Sequence, residues 1–106
     1  MTRVLLNVPR TVKAGETFEV KLLISHPMES GQRRDAMGQK IPRDIIHELV
    51  CTYGEEGVLH VTLFPAIAAN PFFAFSAVAM QSGTLAIRFV DDHGAEQVEK
   101  VEITVA

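Results

Sequence analysis

The sequence predicts an all-β fold: an immunoglobulin-like antiparallel β-sandwich of about seven strands, formed as a single domain over residues 1–106. Three observations predict it. Apolar residues recur with a period of two along most of the chain, turn residues separate these runs, and no stretch sustains a helical period. Short alternating strands between regularly spaced turns are the pattern of a two-sheet sandwich. The Cys-Trp-Cys signature of antibody domains is absent, since the chain has one cysteine and no tryptophan. At 106 residues, 47% hydrophobic and 22% charged, the chain buries an adequate core without disulfides.

The elements follow in order. A turn at Lys13-Ala14-Gly15-Glu16 introduces a strand in which Phe18, Val20, Leu22 and Ile24 alternate with Glu19, Lys21 and Ser25. In the next strand Leu49, Cys51 and Tyr53 share one face, with Glu48 and Thr52 opposite. The turn Gly54-Glu55-Glu56-Gly57 leads into a strand from Val58 to Phe64. Farther along, Leu85, Ile87 and Phe89 alternate with Thr84 and Arg88. After Asp91-Asp92-His93-Gly94 the last strand places Val101, Ile103 and Val105 inward, between Lys100, Glu102 and Thr104.

Two segments depart from this pattern. The first is the stretch around Phe72, Phe73 and Phe75, where apolar side chains fall on both faces. Phe73, Phe75, Ala77 and Ala79 point one way, and Phe72, Ala74, Val78 and Met80 the other. The outer face of a sandwich normally meets water, so a strand apolar on both sides calls for a covering partner, the alternative being a local contribution to the core at a sheet edge. The window Leu63 to Met80 is apolar over 18 residues, the lower limit for a spanning helix, but Pro65, Asn70 and Pro71 interrupt it and assign it to the fold and its interfaces.

The second is SHPMESGQRRDAMGQKIPRDII, residues 25–46, far longer than a connection between strands needs. Its basic residues Arg33, Arg34, Lys40 and Arg43 are offset by Glu29, Asp35 and Asp44, and Gly31, Gly38 and Pro42 favour turns. Pairing of these charges within the loop and recognition by another molecule are both open readings.

The net charge of −3 excludes a nucleic-acid footprint, because residues 1–90 carry nine Lys/Arg against eight Asp/Glu and residues 91–106 one against five. The amino-terminal MTRVLLNVPR has only five residues between Arg3 and Pro9, too short for the apolar core of a signal peptide, and a lone cysteine forms no internal disulfide. On these residues alone the compartment reads as cytoplasm.

No arrangement carries obvious chemistry. Cys51 alternates in phase with Leu49 and Tyr53, the placement of a buried structural thiol rather than a nucleophile or redox centre. His26, Met28 and Met37 offer copper-type donors without a diagnostic spacing. His47 and His60 sit on adjacent strands with no acidic cluster, consistent with cross-strand packing. No Ser/His/Asp set, phosphate-cradling glycine loop or paired carboxylates stand out. The residues read as a binding module, not an enzyme, with no cofactor and no metal.

The blocks SHPME, RRDAMG followed by IPRDII, and LFPAIAANPFF, in that order, resemble the SoxZ family, the Z subunits of the SoxYZ sulfur-carrier complex of bacterial thiosulfate oxidation, over nearly the whole chain. The resemblance implies a heterodimer with SoxY, whose own cysteine on a glycine-rich arm carries the sulfur, and transient docking to other Sox enzymes without membrane binding. This chain ends in EITVA within its last strand, so Cys51 is not promoted to carrier thiol. The resemblance also replaces the cytoplasm with the periplasm, reached by co-export with a signal-bearing Y subunit. Under this reading Phe64, Pro65, Ile67, Phe72, Phe73 and Phe75 bind the partner, and Arg33, Arg34, Asp35 and Arg43 form a docking loop.

Overall fold

The structure, a computed structural model, describes residues 3–64 and 69–106. These form eight strands and no helix, so no helix is long and apolar enough to cross a membrane. The strands are β1 (Arg3–Asn7), β2 (Thr11–Val12), β3 (Thr17–Ser25), β4 (Ile46–Tyr53), β5 (Glu56–Thr62), β6 (Phe72–Val78), β7 (Gly83–Asp91) and β8 (Glu96–Val105). They make a sandwich of a three-stranded sheet, ordered β1-β3-β6, and a five-stranded sheet, ordered β2-β8-β7-β4-β5. The molecule is elongated, 58 × 21 × 19 Å along its principal axes.

Alternation built the sandwich because successive strand residues point to opposite faces. From β3, Phe18, Val20, Leu22 and Ile24 are buried, and they meet Leu49 and Cys51 from β4, Leu85, Ile87 and Phe89 from β7 and Ile103 from β8. Val101 and Val105 pack against this core from β8, half-buried. In β4 the buried residues are Ile46, Leu49 and Cys51, a spacing of three and then two. The register against β7 shifts between Ile46 and Glu48, where one extra residue bulges out and resets the alternation.

Two features add to the sequence reading. The two-residue β2 is too short to show a period, and it pairs in parallel with β8, Thr11 opposite Thr104 and Val12 opposite Val105. The long loop is an ordered arm that doubles back on itself. Glu29 and Asp44 exchange both backbone hydrogen bonds, at 2.8 and 2.9 Å, and the Ile41 amide donates to the Arg33 carbonyl at 2.9 Å. At its tip the Asp35 carboxylate accepts from the amides of Met37 and Gln39, at 2.9 and 3.0 Å, while Gly38 takes φ +79°, a conformation open to glycine.

Candidate partner-binding surface

The three-stranded sheet keeps its inner face in the core and sets a row of large apolar side chains into its outer face. Antiparallel pairing sets Leu5 opposite Leu23 and Leu23 opposite Phe72. Side chains directly opposite on one face lie about 4.5–5.5 Å apart at Cβ, so these three form one apolar row across the sheet. Phe72 is 59% and Leu5 61% exposed. Along the same face β6 continues outward through Ala74, Ser76 and Val78, and Met80 follows, 70% exposed. The ion pair of Lys21 with Glu19, 3.1 Å, separates this row from Val78, and Arg3, Asn7, Thr17, Ser25 and Ser76 supply further polar groups on the same face.

Each aromatic residue named from the sequence can now be placed. Phe72 projects outward, and Phe64, past the end of β5, is 66% exposed. Phe73 and Phe75 point inward, half-buried, and pack against the core, where they fill the space opposite Leu22 and Val20 on β3. Pro65 and Ile67 lie outside the described residues. Leu5 and Leu23 were invisible as part of this surface in the sequence, because their membership depends on the pairing of three strands that are distant in the chain.

The charged loop is ordered by its own bonds. Arg33 pairs with Glu29, and that guanidinium holds the Glu29 carboxyl below the usual range. Arg34 donates to the Gly38 carbonyl at 2.7 Å. Arg43 leaves the loop and makes a two-point bond to Asp92 in the β7–β8 turn, at 2.7 and 2.9 Å. Asp92 also accepts from the Ile45 amide at 3.2 Å, and His47 Nδ1 lies 3.2 Å from its other oxygen. Burial pushes the Asp92 carboxyl up, and Arg43, the Ile45 amide and His47 together more than offset this, leaving it below the ordinary aspartate value. The side chains of Arg33, Arg34 and Asp35 stay at the exposed surface.

His26 joins this loop to the sheets. Its amide donates to Asn70 Oδ1 at 3.1 Å, its carbonyl accepts from the Asn70 amide at 2.8 Å, and its ring Nδ1 accepts from the Met28 amide at 3.0 Å. Met28 and Asn70 both carry positive φ, 49° and 55°, so each turn is held by the histidine it serves. Ring Nε2 faces Asp44 Oδ1 at 3.7 Å and Asp91 Oδ2 at 3.8 Å, and His93 Nδ1 approaches the same Asp44 oxygen at 3.3 Å. That oxygen is buried and makes no hydrogen bond.

His26, Asp44 and Asp91 are close enough to share an ion, with ligand atoms within 4.8 Å of one another. The proton placement argues against it. A neutral imidazole whose Nδ1 accepts a hydrogen bond carries its proton on Nε2, whereas a ligating histidine turns a bare nitrogen to the metal and donates from the other. The group is an N–H donor held against two carboxylates. The copper donors do not assemble either: Met28 is buried with its sulfur accepting from the Ile46 amide at 3.3 Å, while Met37 is 84% exposed.

The structure corrects one sequence expectation. His47 and His60 do have acidic neighbours, Asp92 at 3.2 Å and Glu48 at 3.4 Å, brought in by the β7–β8 turn and by the pairing of β5 with β4. Cys51 is fully buried, and desolvation pushes its thiol up to about 11.

Comparison with known proteins gives a family match and a set of shared folds. A family model described as sulphur oxidation protein SoxZ matches residues 6–102. No curated protein matches the chain. Among solved structures, a superoxide reductase (neelaredoxin) from Ignicoccus hospitalis superposes with TM-score 0.73 at 19% identity, covering 97% of this chain and 79% of that one. The sulfur carrier protein SoxY from Chlorobium limicola f thiosulfatophilum gives 0.68 at 11% identity, covering 97% and 78%. A PKD domain of an M14-like peptidase from Thermoplasmatales archaeon SCGC AB-540-F20 gives 0.57 at 13%, covering 96% and 91%. Identities this low speak to the sandwich fold alone.

Proposed function

This chain belongs to the SoxZ family of sulphur oxidation proteins, and from that premise we propose that it is the non-catalytic body of a SoxYZ heterodimer in the periplasm, scaffolding the Y subunit whose cysteine holds the sulfur intermediates of thiosulfate oxidation. The observation that carries the proposal is the Leu5–Leu23–Phe72 row with Val78 and Met80, large apolar side chains left on the outer side of a sheet whose inner face is already committed to the core. Monomeric proteins seldom leave such a surface to water, and exposed aromatic anchors are what a desolvated interface centre uses. The burial of Cys51 supports the division of labour, because sulfur transfer needs an accessible thiolate.

In this reading Phe72 and Phe64 contact the Y subunit directly, while Phe73 and Phe75 set the position of β6 from the inside. Arg33 and Arg34, exposed on a loop that Asp35 and Arg43 hold in shape, meet acidic groups on the visiting Sox enzymes, where charge raises the encounter rate more than the affinity. The chain and a Y subunit, purified separately and mixed, form a 1:1 complex by native mass spectrometry, and Phe72→Asp abolishes it while leaving the thermal transition in place. A chain that stays monomeric in the presence of the Y subunit refutes the proposal.

A further inference from the structure

The sheet order β1-β3-β6 leaves β6 paired on one side only, and among the described residues nothing pairs with its other edge. Proteins blunt such edges with lysine, internal proline, bulges or very short strands. β6 has none of these. It is seven residues long, its register with β3 is continuous, and no charged residue or histidine occurs between Leu63 and Ile87.

The polarity of the open edge can be read from one hydrogen bond. The Ile24 amide donates to the Pro71 carbonyl at 3.1 Å, which makes this the first hydrogen-bonded pair as the strands enter register. Antiparallel pairs alternate between bonded and non-bonded, so Phe73, Phe75 and Ala77 turn their backbone groups to β3. Phe72, Ala74, Ser76 and Val78 turn theirs to the open edge. The same four residues carry the outward side chains, so edge and apolar face meet along one line.

Resting on the heterodimer reading above, we propose that the Y subunit docks by strand addition: one of its β-strands pairs with the free edge of β6 and continues the three-stranded sheet, its side chains lying against Phe72 and Val78. The outer face alone is narrow. Three strands about 4.8 Å apart and seven residues long cover only about 14 × 23 Å, less than the roughly 800 Å² that each partner gives to a standard interface. Backbone pairing supplies the rest of the contact together with its register. The structural neighbour named SoxY is a sandwich of the same fold, and such a sandwich offers edge strands of matching twist.

Residue-resolved hydrogen exchange on the free chain and on its complex with the Y subunit tests this. The amides of Phe72, Ala74, Ser76 and Val78 gain at least about tenfold protection on binding, while those of Phe73 and Phe75, already bonded to β3, change little. Ala74→Pro and Ser76→Pro each remove one outward N–H without touching the β3 ladder, and each weakens binding about three- to tenfold with the fold intact by circular dichroism. A complex in which the four amides exchange as in the free chain overturns strand addition and leaves the heterodimer standing. If no complex forms, the heterodimer reading fails and this inference falls with it.

Discussion

A cysteine in a sulfur-oxidation protein invites the idea that it handles sulfur, and alkylation kinetics at Cys51 decide the matter. Burial raises this thiol from its usual 9.0 to about 11. At pH 8 that leaves about 0.1% thiolate in place of about 9%, a loss of roughly a hundredfold in the reactive species. A more basic thiolate is a better nucleophile, with a Brønsted slope of about 0.4–0.5, which returns about eightfold. Ionisation alone therefore slows the reaction about tenfold. Access slows it more: Cys51 is 0% exposed, so a reagent reaches it only when β4 opens from its neighbours. In the opened state burial no longer acts on the thiol, so this route is slowed by the opening alone: about 3–5 kcal/mol, below the global stability of a typical domain, is a factor of about 10² or more. Iodoacetamide or a chromogenic disulfide applied at pH 8 labels the native chain at least about 10²-fold more slowly than the guanidinium-unfolded chain, and the native rate keeps rising with pH beyond 9. A native rate within tenfold of the unfolded one refutes the reasoning, and with it the assignment of Cys51 to structure.

Other expectations follow from the same coordinates. Phe75→Ala removes a ring packed on the core and lowers stability to urea by about 2–4 kcal/mol, whereas Phe72→Ala, on the outer face, costs under about 1 kcal/mol, so the two variants separate core from surface. Asp92→Asn weakens its bonds to Arg43, the Ile45 amide and His47 and lowers stability by about 1–3 kcal/mol at neutral pH, read from thermal or urea unfolding. The folded carboxyl lies below its unfolded value near 3.8, so its stabilisation is present above that value and is lost as pH falls through and below it. In the wild type part of the acid unfolding slope below about pH 4.5 comes from Asp92, and the Asn variant has a shallower slope there.

The sandwich was legible because alternation is a local property: Phe18, Val20, Leu22 and Ile24 declare a buried face within seven residues, whatever lies opposite. The same periodicity separated Phe72 from Phe73 and Phe75 by face, although it did not say that the second face would be half-filled by the chain's own core. The bulge between Ile46 and Glu48 and the parallel pairing of β2 escaped notice, since both are decided by what a strand meets and not by its own pattern. The block of residues 25–46 and the apolar stretch before β6 marked the family by their order alone. What only the tertiary structure decided was assembly across distance: Leu5, Leu23 and Phe72 become one row through two register choices, and Arg43 finds Asp92 rather than an acid in its own loop. His26 likewise meets Asp44 and Asp91 only after three segments converge. Faces are written by the spacing of neighbours in the chain, whereas sites depend on pairings whose closure cost is repaid by the whole core, and no short stretch of sequence records that balance.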